Sequence, residues 1–124
     1  MKKNEKVIKA LEDMKRQIEA EEWAVYTNDR GSGSAGVSYI DYKNASAIDS
    51  YLHFAETGDN ENVPHCTDIY YISVDDFDDE DNEVVCEILE CYEEYVKRDE
   101  VLGLIVCSEY YDMEYTFYML HIKG

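Results

Sequence analysis

Between Asp75 and Glu100 the chain reads DDFDDEDNEVVCEILECYEEYVKRDE, which sets 13 of its 29 carboxylates against two bases, Lys97 and Arg98. At about 100° per residue, Val84, Val85, Ile88, Leu89, Tyr92, Tyr95 and Val96 fall within about 140° of one another. A helix with such a stripe must bury it, so this segment requires a core to lie on. Glu83, Glu87, Glu90 and Glu94, spaced four, three and four residues apart, form a row on the opposite side, with Glu93 beside it. Like charges at this spacing cost a few tenths of a kcal/mol per pair. Asp78 to Asp81 offset part of that cost, because they stand at or before the helix N-terminus, where unpaired amides and the dipole favour anions. The row is either a solvated face or a surface for a basic partner.

At 124 residues the chain is expected to form a single domain over residues 1–124, and its 45% apolar content with 12 tyrosines suits a globular protein. No run approaches the roughly 18 apolar residues of a membrane span, and the charged N-terminus leads into an amphipathic pattern instead of a signal peptide. The expected setting is cytoplasmic, with Cys66, Cys86, Cys91 and Cys107 reduced. The net charge of −18 is unevenly spread. Residues 1–24 are neutral and hold six of the 11 bases, whereas residues 75–100 carry −11. Such a field repels nucleic acid and anionic membrane and steers cationic partners.

Periodicity and turn signals predict the remaining elements. Val7, Ile8, Leu11, Met14 and Ile18 mark a helix over Asn4–Glu22. Trp23–Asn28 and Val37–Tyr42 read as a hairpin around the loop DRGSGSAG. Ala47, Ile48, Tyr51, Leu52 and Ala55 favour a helix over Ala45–Glu56, with a strand register as the alternative. Cys66–Val74 is a strand that sends Tyr70 and Tyr71 to opposite faces. Val101–Ser108, nearly continuous in apolar residues, reads as a strand covered on both sides. Tyr115–Ile122 closes a last hairpin. The expected class is α+β, a mostly antiparallel sheet of about five strands packed against two or three helices, in the order α-β-β-(α)-β-α-β-β.

Motifs for chemistry fail on inspection. Gly31, Gly33 and Gly36 spell G-x-G-x-x-G, but a strand follows where a dinucleotide site needs a helix N-terminus. Asp76, Asp78, Glu80 and Glu87 match the spacing of a calcium loop, yet Asp81 stands where the sharp turn needs glycine. Cys86 and Cys91 diverge around one helix, and the adjacent His65 and Cys66 cannot easily share one ion, so no zinc site is expected. Cys91 and Cys107 read as small core residues, and His121 as a satisfied core or edge histidine. Neither a nucleophile elbow nor a cysteine-protease signature accompanies His53, His65 or His121. The expectation is a non-enzymatic protein without cofactor or metal.

Tyrosines mixed with carboxylates form the kind of surface that a basic protein groove binds. Along a helix, carboxylates four residues apart repeat about every 6 Å, against a phosphate every ~3.4 Å along one DNA strand. In size, acidity and single-domain character the whole chain resembles the anti-restriction and anti-CRISPR proteins of phages and other mobile elements, although no motif carries the resemblance. It implies an inhibitor that imitates nucleic-acid charge, with a host nuclease or another basic nucleic-acid enzyme as partner. The implied partner-binding residues are Asp78, Asp79, Asp81, Glu83, Glu87, Glu90 and Glu94, with Tyr70, Tyr110 and Tyr111 from the sheet. An immunity or antitoxin-like protein that blocks a basic toxin would need the same face, and an adaptor would bind through the sheet instead.

Overall fold

The apolar stripe of the acidic segment is buried, as its period demands. A computed structural model describes residues 5–21, 24–31, 34–41, 46–92, 94–110 and 112–123, with side chains for 5–20, 48–92, 94–110 and 112–123. Its helices are α1 (Glu5–Glu21), α2 (Ser46–Thr57) and α3 (Asp79–Tyr92). Its strands are β1 (Ala24–Gly31), β2 (Ser34–Asp41), β3 (Cys66–Ser73), β4 (Val101–Tyr110) and β5 (Glu114–Ile122), an α+β arrangement. All pairings are antiparallel, and the order across the sheet is β2-β1-β5-β4-β3. None of the helices is long and apolar enough to cross a membrane.

Helices α1 and α2 cover one side of the β3–β4–β5 part of the sheet, and α3 lies across the other side, where its side chains reach β4 and β5 and its backbone comes closest to β1 and β2. On one side α1 supplies Val7, Ala10, Leu11, Met14 and Ile18 and α2 supplies Ile48, Phe54 and Ala55, packed on Cys66, Ile69, Ile105, Cys107 and Met119. On the other, Val84, Val85 and Ile88 of α3 meet Leu104, Val106, Tyr118 and Leu120. Fully burying a Leu, Ile or Val contributes about 1.5–3 kcal/mol. β4 feeds both cores because its residues point alternately to either side, which is why its apolar run is unbroken. At Gly103 the strand lacks a side chain, and the Tyr71 ring occupies the space.

Three readings need correction. α3 stops at Tyr92, whose carbonyl accepts from the amides of both Tyr95 (2.9 Å) and Val96 (3.0 Å). The chain tightens there because Val96 must reach the core and β4 begins five residues later, so Tyr95 turns outward and is 62% exposed. Cys91 is exposed instead of buried, since it falls in the last turn of α3, where the core no longer covers that side. Most of the glycine-rich stretch is ladder, with Arg30 opposite Ala35 and Gly31 opposite Ser34. Gly36 thus lies in a strand opposite Asp29. Trp23, Gly33 and Tyr42 fall outside the described residues.

Candidate functional site

The acidic surface starts where α3 starts. Asp78 is the N-cap, and its Oδ1 accepts from the Asp81 amide at 2.8 Å while Asp81 Oδ2 accepts from the Asp78 amide at 3.1 Å. This reciprocal pair satisfies amides that no helical carbonyl can reach. Asp81 is only 9% exposed. It lies three residues before Val84, inside the arc of the apolar stripe, so it faces the core, and burial pushes its carboxyl up while the Asp78 amide opposes the shift. Two of the expected binding residues therefore hold the helix start together. The same geometry excludes a calcium loop, because residues 79–87 are wound into helix.

Glu83 and Glu90 are exposed and Glu87 is half-buried on the outer side of α3. Glu80, also exposed, extends this row, as it precedes Glu83 by three residues and Glu87 by seven. From Glu80 to Glu90 the row covers about 15 Å. Glu94 is exposed but belongs to the turn after the helix, so its spacing to Glu90 is no longer helical. Of the two nearby bases, Arg98 is tied down at the other end of α3. Its Nη2 donates to Asn82 Oδ1 at 2.7 Å, and the guanidinium lies 5.9 Å from the centre of the Phe77 ring. Lys9, Lys15 and Arg16 sit across the sheet on α1, engaged with Asp13 and Asp49.

The sheet adds to this surface along its β3 edge. Tyr70 stands opposite Val106, which faces α3, so the 41% exposed Tyr70 ring lies on the α3 side. Burial raises its phenol, and the charges of Asp81, Asp68 and Glu80 raise it further, which puts Tyr70 inside the acidic field. Asp68, exposed and opposite Ser108, shares that face, and a bulge between Cys66 and Asp68 interrupts the edge ladder. An acid and a bulge on an edge strand also discourage pairing with another chain. Tyr110, 55% exposed, has the same parity as Val106 and sits about 13 Å further along β4. It borders a shallow cleft with Thr67, Ser108, Glu114 and Tyr115. Tyr111 and Glu93 fall outside the described residues.

Sequence reasoning missed a polar chain between α1 and the sheet. His121 is 5% exposed; its Nδ1 lies 2.6 Å from the Tyr71 hydroxyl and its Nε2 3.0 Å from Asp13 Oδ2. Burial pushes His121 down, against the pull of Asp13. A neutral imidazole therefore donates from Nε2 to the carboxylate and accepts the Tyr71 proton at Nδ1. Burial would raise Asp13, but hydrogen bonds from His121 and Lys9 hold it below the usual carboxylate value. Tyr71 is pushed up to about 12 by burial and by the charge of Asp13, so it keeps its proton at neutral pH. The chain joins three distant segments, and pairing of this kind leaves no periodic trace in sequence.

Cys66 and Cys107 are both buried on the α1 and α2 side of the sheet, and the hydrogen bond between their thiols, followed by burial, raises the Cys107 thiol. Among the described residues, one group combines ligands in metal-binding proximity, His53 with Asp59 and Glu61. No family model matches the chain, and neither a curated protein nor a solved structure matches it.

Proposed function

We propose that the protein is a non-enzymatic inhibitor that presents the outer face of α3, with the adjoining β3 edge, to a basic nucleic-acid-binding enzyme. The observation that carries this reading is the continuity of the Glu80–Glu90 row with Asp79, Asp68 and the exposed Tyr70 ring, on the side of the sheet away from the α1 bases. A partner groove built for phosphates would meet a carboxylate at about every second phosphate position, and Tyr70 adds apolar area with few rotors to order. Glu80, Glu83, Glu87 and Glu90 are the charge-matching residues in this reading. Asp79 and Asp68 widen the field, and Tyr110 and Glu94 lie at its margins. The same surface would serve an anti-restriction or anti-CRISPR protein, with a host nuclease as the partner.

The test is capture from a nuclease-rich bacterial lysate, salt-gradient elution and identification by mass spectrometry, followed by the triple variant Glu83→Lys, Glu87→Lys, Glu90→Lys. A basic nucleic-acid enzyme should elute at a few tenths molar salt and be competed off by DNA. The variant should lose that partner while its stability changes little, because three lysines at the same spacing repel one another much as the glutamates did. Retention that the triple reversal leaves unchanged would remove the α3 face from the mechanism.

A further inference from the structure

We infer that His53, Asp59 and Glu61 form a binding site for a divalent transition cation of the zinc type at the end of α2. His53 sits in the last turn of α2, and the helix ends at Gly58, whose positive φ of 79° lets the chain turn back. The Gly58 amide donates to the Phe54 carbonyl at 2.8 Å, and the turn returns Asp59 and Glu61 toward the His53 ring. One ligand atom from each of the three lies within 4.8 Å of the other two.

The imidazole separates this group from a mere gathering of acids. His53 Nε2 is shielded from solvent and has no hydrogen-bond partner, although 40% of the side chain is exposed. Its nearest carboxylate oxygen, Asp59 Oδ2, is 3.7 Å away, too long for a hydrogen bond. Two ligands of one tetrahedral ion at about 2.1 Å stand ~3.4 Å apart, so the gap suits an ion between them better than a direct bond. Asp59 is already oriented for the task. Its Oδ1 accepts from the Glu61 amide at 3.1 Å, its own amide donates to Thr57 Oγ1 at 3.0 Å, and the Thr57 hydroxyl donates to the His53 carbonyl at 2.8 Å. Asn60 Nδ2 anchors the loop on the Cys66 carbonyl at 2.8 Å. These contacts leave Oδ2 directed at His53, the outer support that metal ligands use.

One imidazole with two carboxylates selects borderline ions such as Zn²⁺ over Mg²⁺ or Ca²⁺, which prefer oxygen alone. Three ligands leave at least one position for water or for a group from a partner. The net charge of −18 raises the local cation concentration around the whole molecule. A diffuse effect of that kind has no need of His53.

The experiment titrates Zn²⁺ into tag-free protein carrying Cys86→Ser and Cys91→Ser, which removes the exposed thiols, in competition with a chromophoric chelator. One equivalent should bind; His53→Ala and, separately, Asp59→Asn should each weaken it at least tenfold, and millimolar Mg²⁺ should not displace it. Circular dichroism without metal checks that the variants fold, and Glu61→Gln, at an exposed position, replaces any that does not. Zinc affinity unchanged in these variants, or zinc displaced by Mg²⁺, overturns the site.

Discussion

Adding one methyl group at Gly103 tests how tightly β4 and the polar chain are built together. A Cβ there would fall on the hydroxyl and ring carbons of Tyr71, the same hydroxyl that bonds His121. Gly103 is buried in β4 between β3 and β5, so the backbone has no room to yield and the Tyr71 ring must move. Overpacking costs about 1–3 kcal/mol, and leaving buried His121 Nδ1 without its partner costs a further ~1–3 kcal/mol. Gly103→Ala should therefore destabilise the protein by about 2–6 kcal/mol, a fall in Tm on the order of 10 °C or more. In a Tyr71→Ala background the obstacle is gone, and replacing a mid-strand glycine should then be neutral or gain roughly 0.5–1 kcal/mol. In Tyr71→Phe the ring remains and the hydroxyl does not, so only the packing part of the cost should persist. Urea unfolding of the three single and two double variants against wild type gives the coupling directly. Equal losses from Gly103→Ala in all three backgrounds would show that Tyr71 does not fill the space over the glycine.

His121 should give stability an acid limb. Its folded pKa lies below the unfolded value of 6.5, so its contribution is complete above that pH and is lost as pH falls through the folded value. Asp13, also lowered, adds a second loss below its unfolded 3.8, whereas Asp81, raised, acts in the opposite sense in the carboxylate range. Unfolding free energy measured between pH 7 and 5 should fall for wild type and stay flatter for His121→Gln; matching slopes would contradict the neutral buried imidazole. Tyr71, raised to about 12, should make stability decline as pH rises from 10 to 12, and Tyr71→Phe should lessen that decline. Asp78→Ala should cost about 1 kcal/mol through the lost N-cap, measurable by chemical denaturation. Of the four thiols, Cys86 and Cys91 should react at once with a thiol reagent in native protein, while Cys66 and Cys107 wait for unfolding.

Much of this molecule could be read from local pattern. The stripe through Val84, Val85 and Ile88, the α1 series from Val7 to Ile18 and the two-sided run in β4 all follow from one repeat length per element, and each lies against a core. That is enough for an α+β class, because a periodic apolar face has to be buried wherever the chain goes. The acidity of the α3 outer face was equally plain, being a matter of which residues oppose the stripe. Roles within the acidic segment were less so: Asp81 shares the arc of Ile88 and Tyr92 and faces inward, and Glu94 and Tyr95 leave the helix to let Val96 reach the core. Only tertiary structure could bring Asp13, Tyr71 and His121 together, since they belong to α1, β3 and β5, and no period links residues in three elements. The same holds for Tyr70, placed on the α3 side by its register with Val106, and for His53, Asp59 and Glu61, joined by one left-handed glycine. Periodicity decides which side of an element is buried; register and turns decide which exposed or polar groups meet.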